Sequence, residues 1–352
     1  MADEATLKEI LSQPEVWKSV LDLSADREGA FTKVAALCFK KETAFVGCGT
    51  SYYAALSAAS VFTRVTGAKS RAVPASDILF YPDHAFQNPA AGYLGIVISR
   101  SGTTTESVLA ARKIKTELGM PACAVSCRPD SELVRICDHA LLAEAADEKS
   151  VVMTRSFTSM LLTIQRLAAA CSQNGGVLKE LESLPRLGMD VLKKAAVLAP
   201  EIARDRDWSS FVYLGQGPYY GLACEAMLKM KEMSISVSEA YHTLEYRHGP
   251  MSMVSDRMLI TFFISDRGRK EEVVLIKEMK KLGAKILTVC ENGGGGIRES
   301  SDYCLELNSG LSDSARLILC MPMIQLLAYH WARLKGIDPD HPKNLTQVVQ
   351  LS

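Results

Sequence analysis

The sequence predicts an α/β protein built from one duplicated domain, each copy a parallel sheet with helices on both faces. Three observations carry this. The chain has 352 residues, which is room for two domains of ordinary size. Within each half, short β-branched runs alternate with helical stretches of roughly 10–15 residues, the alternation that βαβ units produce. The halves also resemble each other. Ala44 to Leu56 and Val212 to Cys224 both give an apolar run, a Gly-x-Gly turn (Gly47-Cys48-Gly49, Gly215-Gln216-Gly217) and a small-residue helical pattern. Further on, Gly95 to Gly102 matches Ile260 to Gly268 in position. Each is followed by a helix ending in Leu-Gly (Leu118-Gly119, Leu282-Gly283) and another strand, Ala122–Ser126 or Lys285–Cys290. A repeat that long is a whole domain, not a solenoid unit.

The expected boundaries are a helical segment over 1–40, a first domain over 41–190 and a second over 191–352. Leu178 to Asp205 reads as a charged helical connector broken at Pro185 and Pro200, and Gly293–Gly296 as a mobile turn. The 40 Lys+Arg balance 40 Asp+Glu, so no basic surface for nucleic acid is expected. With 48% hydrophobic and 23% charged residues, the chain is globular rather than disordered. Met1-Ala2-Asp3-Glu4 lacks the positive start of a secretory signal. Leu317 to Leu334 is interrupted by Pro322, Gln325, His330 and Arg333, which suits a buried helix better than a membrane span. The expectation is a cytoplasmic protein without membrane contact. Of the ten cysteines, Cys38, Cys48, Cys171, Cys224, Cys290 and Cys320 sit in apolar runs as small hydrophobes. Cys123 and Cys127 lie where a strand enters a loop, and no second pair at zinc spacing accompanies them, so no metal is expected.

Two first-half segments carry anion chemistry. Gly47-Cys48-Gly49-Thr50-Ser51 is a glycine turn into a helix start, where backbone N–H groups and two hydroxyls can meet an anion or merely cap the helix. Tyr52 stands where the dinucleotide fingerprint needs a third glycine. Ser99-Arg100-Ser101-Gly102-Thr103-Thr104-Thr105 packs hydroxyls into a strand–loop–helix junction ahead of a helix read over Val108–Leu118. That arrangement suits a phosphomonoester, because the Gly-Lys-Ser/Thr of a triphosphate loop is missing. The counterpart, Ser265-Asp266-Arg267-Gly268, has lost most of those hydroxyls and reads as empty. In the second half, Glu225, Lys229 and Glu232 recur at i, i+4 and i+7, the spacing of a catalytic row or of a solvated helix face. His248 sits beside a Gly-Pro turn, where a lone histidine is commonly at the surface.

Together these motifs resemble the double sugar-isomerase (SIS) domain family, above all the isomerase half of glucosamine-6-phosphate synthase and the amino-sugar phosphate deaminase/isomerases. The motifs are Cys48-Gly-Thr-Ser, Ser99-Arg-Ser-Gly-Thr-Thr, Phe157-Thr, Glu225-x-x-Leu-Lys-x-Lys-Glu, Glu239-Ala-Tyr, His248-Gly-Pro, Gln325-Leu-Leu-Ala-Tyr-His and Pro342-Lys-Asn-Leu, in order along the whole chain. The resemblance implies two tandem SIS domains, each a flavodoxin-like three-layer α/β unit. It implies a phosphate site from Ser51, Ser99, Ser101 and Thr104 with Thr50 adjacent. Arg100 stands where the synthase has Gln and would add charge for the phosphate. Glu232 matches the base that moves a proton between C1 and C2, Lys229 a catalytic-site lysine, and His248 the ring-opening residue, delivered from a neighbouring subunit. A homodimer with shared active sites follows, with a phosphorylated sugar as partner and no cofactor.

Departures narrow the expectation. Gln347 stands where the synthase tail carries an imine-forming lysine, and Met1-Ala2 offers no N-terminal cysteine nucleophile, so transfer of ammonia from glutamine is not expected. Met153 replaces a common serine and Arg155 a common lysine. The function expected is an isomerase/deaminase for an amino-sugar 6-phosphate working through an enediol or enolamine. A fructosyl-amine 6-phosphate deglycase and a non-catalytic sugar-phosphate sensor are the alternatives.

Overall fold

Two parallel five-stranded sheets organise the computed structural model, which describes residues 4–22, 25–87, 92–172 and 175–348. The first contains β1 (Glu42–Gly47), β2 (Ser70–Pro74), β3 (Tyr93–Ile98), β4 (Ala122–Ser126) and β5 (His139–Leu142), in the order β2-β1-β3-β4-β5. The second contains β6 (Ser210–Gly215), β7 (Ser238–Tyr241), β8 (Met258–Phe263), β9 (Lys285–Cys290) and β10 (Tyr303–Glu306), in the order β7-β6-β8-β9-β10. The same strand order occurs twice, so the sequence repeat is a duplication of topology. The central strands β3 and β8 are buried at every residue, as a sheet covered on both faces requires.

The close turns after β1 and β6 repeat as well. A Cβ on Gly47 would lie 2.5 Å from the backbone of Ser51, and one on Gly215 would lie 2.3 Å from the backbone of Tyr219. Only glycine lets each following helix approach its strand so closely.

The chain forms two compact units. One holds the second sheet with residues 186–345, joined by 1–11 and 150–152; the other holds the first sheet within 12–149 and 153–185, joined by the tail from Thr346. In the first-sheet unit the Arg155–Ser172 helix packs on the Thr50–Thr66 and Gln13–Leu21 helices. A buried polar chain fixes the latter contact: the Trp17 indole donates to Thr158 Oγ1 at 2.9 Å, and Thr158 donates to Gln13 Oε1 at 2.8 Å. In the second-sheet unit the Met321–Leu334 helix packs on the Tyr219–Ser234 and Ala5–Leu11 helices. Asp340 caps the first turn of Ala5–Leu11, accepting from Ala5 N at 2.9 Å and Thr6 N at 2.8 Å. Asp313–Leu334 is the only stretch among the described residues long and apolar enough to cross a membrane, and 83% of its apolar window is buried inside the protein.

Several local expectations shift. Pro185 does not break the connector; it lies in the first turn of the Leu184–Asp205 helix, where no N–H is needed. Pro200 lies within the same helix, which runs on past it at the loss of one backbone bond. The helix after the serine-rich loop starts at Thr105, and its last turn, Lys113–Glu117, is π-wound. Ile235 ends the Tyr219–Ser234 helix in a left-handed conformation (φ +49°), and β7 begins only at Ser238.

Replacing Thr158 by Val keeps its shape but leaves the buried Trp17 N–H without its acceptor. Urea unfolding of Thr158→Val should show a loss of roughly 1–3 kcal/mol; an unchanged midpoint would mean that this chain of hydrogen bonds contributes nothing.

Candidate active site

Strand order decides where a ligand can enter each sheet. In an order that reverses between β1 and β3, the segments leaving those strands diverge and open a crevice at their carboxyl ends. β1 and β3 are neighbours, with Val46 opposite Val97. The glycine turn Gly47–Gly49 leaves one and the loop Ser99–Thr104 the other, so the segments carrying Thr50, Ser51, Ser99, Ser101 and Thr104 start from the carboxyl ends of adjacent strands at the switch point. Thr50, Ser51, Ser99 and Ser101 are all buried.

The loop is pre-shaped. Gly102 adopts φ +61°, and a Cβ there would collide with the Ser131 side chain. Its N–H donates to Ser99 Oγ at 3.1 Å, and Thr103 N–H donates to Ser101 Oγ at 3.2 Å. A hydroxyl that accepts from the backbone still has its own proton to donate, which suits an anion. The loop carbonyls are occupied elsewhere: Arg100 O accepts from Ser126 Oγ and Cys127 N, and Gly102 O from Leu133 N. Arg100 is buried, but its guanidinium faces protein groups. Nη1 lies 3.5 Å from the buried Glu148 carboxylate, and Nη2 donates to the Gln347 carbonyl at 3.1 Å. Gln347 Nε2 in turn donates to Glu148 O at 3.0 Å. Glu148 also accepts from Thr154 N and Oγ1, both at 2.7 Å, and from Ser156 Oγ. Sequence reasoning missed this hub, because Asp147-Glu148-Lys149 reads as a solvated charge run.

The equivalent loop after β8 is filled. Both loops follow Ser-x-x-Gly-x-x-x-Glu, from Ser99 to Glu106 and from Ser265 to Glu272. In the second copy, the Glu272 carboxylate accepts from Ser265 N at 2.9 Å and from Ser265 Oγ at 3.0 Å. Asp313 accepts from Asp266 N at 3.1 Å and from the Tyr219 hydroxyl at 3.0 Å. Arg316 closes the cluster on Asp266 and Asp313 at 2.7 and 2.5 Å. Internal carboxylates thus take the backbone and hydroxyl donors of the second loop, whereas in the first copy Ser99 N donates to Val125 O at 3.0 Å. In the first copy, Glu106 Oε2 is buried and makes no hydrogen bond among the described residues. That Ser…Glu spacing was readable in the sequence.

The acid–lysine–acid row lies on the Tyr219–Ser234 helix. The side chains of Glu225 and Lys229 are 0% exposed and that of Glu232 is 18% exposed, which excludes a solvated face. Lys229 Nζ lies 3.2 Å from Glu225 Oε1 and pairs closely with Glu232. Burial works against the ammonium, but the two carboxylates outweigh it and hold the Lys229 pKa above its ordinary value. An amine kept protonated is a charge and a donor, not a nucleophile. Glu232 is the member that reaches solvent. His248 lies on an exposed turn between the short 3₁₀ stretches Leu244–Arg247 and Pro250–Met253, with its N–H bonded to Glu245 O at 3.0 Å.

Comparison with known proteins agrees with this architecture. The SIS domain family matches residues 37–170 and 206–329. The chain belongs to the SIS domain family. It is 31% identical, over 97% of its length, to the glutamine–fructose-6-phosphate aminotransferase (isomerizing) of Francisella tularensis, and spans 58% of that protein. Among solved structures it is similar to glucosamine-6-phosphate deaminase from Thermotoga maritima, with 28% identity, TM-score 0.79, and coverage of 99% of this chain and 100% of that one. It shares its fold with tagatose-6-phosphate ketose/aldose isomerase from Escherichia coli, at 24% identity and TM-score 0.86 over 97% of both chains.

The filled loop makes a pH prediction. Burial pushes the Glu272 carboxyl up from 4.5 to about 7, against the lowering by its bonds from Ser265. Between those values the folded chain holds a proton that the unfolded chain has released, so stability falls as pH rises through about 7. Glu272→Gln removes the titration. Relative to wild type it should gain stability from pH 5 to pH 8, by up to about 1.4 kcal/mol per pH unit. Parallel wild-type and variant curves in denaturant titrations would refute the assignment.

Proposed function

We propose that this protein is a phosphosugar isomerase/deaminase that converts a 2-amino-aldose 6-phosphate into the ketose 6-phosphate and ammonia. The observation that carries this is the Glu225–Lys229–Glu232 row: two members buried, the lysine held charged, and a carboxylate at the accessible end. The hydroxyl loop Ser99–Thr104, with Thr50 and Ser51, is assigned to the phosphate. The named activities of the Thermotoga deaminase and the Francisella aminotransferase support the same substrate class.

The chemistry follows from the residue types. With the sugar chain open, Glu232 takes the C2 proton as a general base, and Lys229 offsets the negative charge gathering on the oxygen of the enolamine. Glu232 then returns the proton to C1, leaving an imine at C2. Water adds to that carbon, the C–N bond breaks, and ammonia leaves with the ketose behind. No covalent link to the protein is needed, which fits a tail that offers Gln347 in place of an amine. Phosphate binding far from the reacting carbons orients them. His248, on its exposed turn, is assigned to ring opening for a second copy of the chain in a homodimer, because an imidazole exchanges protons near neutral pH.

The decisive assay offers the purified protein glucosamine and galactosamine 6-phosphates and fructosyl-amino-acid 6-phosphates, and measures ammonia, free amino acid and ketose phosphate. Ammonia with ketose phosphate is expected. Free amino acid would mark a deglycase, and binding without turnover would sink the enzyme reading. The double variant Ser101→Ala/Thr104→Ala should raise KM on the order of 100-fold, two lost hydrogen bonds to a charged group; an unchanged KM would remove the phosphate from this loop.

Glu232→Gln should lower kcat by about 10²–10⁴-fold while sugar-phosphate binding persists. Mixing inactive Glu232→Gln and His248→Ala chains under conditions of subunit exchange should restore part of the activity, since one site of each hybrid is intact. Mixtures that exchange subunits yet stay inactive would refute the shared site.

A further inference from the structure

The second-sheet unit holds a pair of thiols that the proposed chemistry does not use. Cys290 is the last residue of β9, and Cys304 lies on β10, the four-residue strand at the edge of the sheet. Cys304 stands opposite Thr288, two residues before Cys290, so the alternation of a strand puts both sulfurs on one face. They are 3.7 Å apart.

Access and charge differ between the two. Cys290 is fully buried, whereas Cys304 is only partly buried and lines a surface pocket of about 300 Å³ with Lys194, Arg298 and Glu306. The hydrogen bond from Cys290 lowers the Cys304 pKa to about 7; burial and Glu306 oppose this, while Thr288 and Arg298 assist. A partly exposed thiol beside cations, with a second thiol in reach, has the composition of a dithiol that oxidises and closes on itself.

We propose that Cys304 and Cys290 form a redox-active pair, Cys304 reacting with a peroxide and Cys290 resolving it to a reversible disulfide between β10 and β9. The Cys304 thiolate attacks one oxygen of hydrogen peroxide; an S–O bond forms, the O–O bond breaks, and hydroxide leaves to become water. Cys290 sulfur then attacks the sulfenic sulfur, an S–S bond forms, the S–O bond breaks, and the hydroxyl departs as water with the Cys290 proton. Two thiols and one peroxide give one disulfide and two waters, a two-electron oxidation of the protein. The residues are diagonal rather than directly opposed, so closure requires β10 to shift, and an edge strand with one neighbour can do so. A bond formed under that constraint is readily reduced by a dithiol.

The chain contains its own control. Cys38 and Cys171 also share a side-chain hydrogen bond, but both are buried. The folded full-length protein is treated with dilute hydrogen peroxide, blocked with an alkylating agent and mapped by peptide mass spectrometry. A Cys290–Cys304 linkage is expected to form at least about tenfold faster than any oxidation at Cys38 or Cys171, and dithiothreitol should reverse it. Cys290→Ser should stop at a Cys304 sulfenic acid trapped by dimedone, and Cys304→Ser should leave Cys290 reduced, with circular dichroism confirming that both variants fold. Oxidation of Cys304 no faster than of Cys38 and Cys171, or oxidation of Cys304 in the wild type without linkage to Cys290, would overturn the proposal.

Discussion

A parallel sheet whose strand order reverses has one place where neighbouring loops must part. Here that constraint acts twice, between β1 and β3 and between β6 and β8. Right-handed crossovers send the helices after those strands to opposite faces, so each reversal leaves backbone N–H groups of two loops around an opening. Such donors need partners. The loops of the two halves differ in how each copy satisfies that need.

The first copy holds its loop from within. Ser99 and Ser101 accept from the loop backbone and keep their hydroxyl protons, while Ser126, Cys127 and Leu133 hold the loop's carbonyls. In the second copy the Glu272 and Asp313 carboxyl groups accept from the loop, with Arg316 paired to Asp313. Buried carboxylates require that many donors, since an unpaired one costs several kcal/mol. One duplicated fold thus carries a loop held by its own serines and an equivalent held by carboxyl groups, one of which also accepts from the Tyr219 hydroxyl at the start of the Tyr219–Ser234 helix.

Much of this is legible in the amino-acid sequence itself. Gly-x-Gly turns, alternating short apolar runs and the serine-rich loop report local geometry, and local geometry is what a single sequence encodes. Spacing alone puts Glu225, Lys229 and Glu232 on one side of a helix, but whether that side meets water or core depends on tertiary packing against β6, β7 and the Met321–Leu334 helix. Glu148 is hidden for the same reason: its partners come from Arg100, Thr154 and Ser156, and its carbonyl meets Gln347. The prolines mislead in the opposite way. Pro185 and Pro200 look like breaks because proline lacks an N–H, yet one sits where none is needed and the other is carried by a long amphipathic helix.

The acid–lysine–acid row has a consequence for where a substrate hydrogen goes. With both acids ionised, the three groups sum to one negative charge; once Glu232 holds a proton, they sum to zero. Two of the three are sealed from water, so the row meets solvent through Glu232 alone. In the proposed reaction, a hydrogen lifted from carbon would rest on the Glu232 carboxyl, beside a carbon waiting to receive it. Yet the Glu232 side chain is 18% exposed, so solvent competes for the same hydrogen. Run in heavy water, such a row would give a product carrying label at C1 in only a fraction of molecules, and that fraction would measure how quickly the discharged carboxyl trades with bulk solvent.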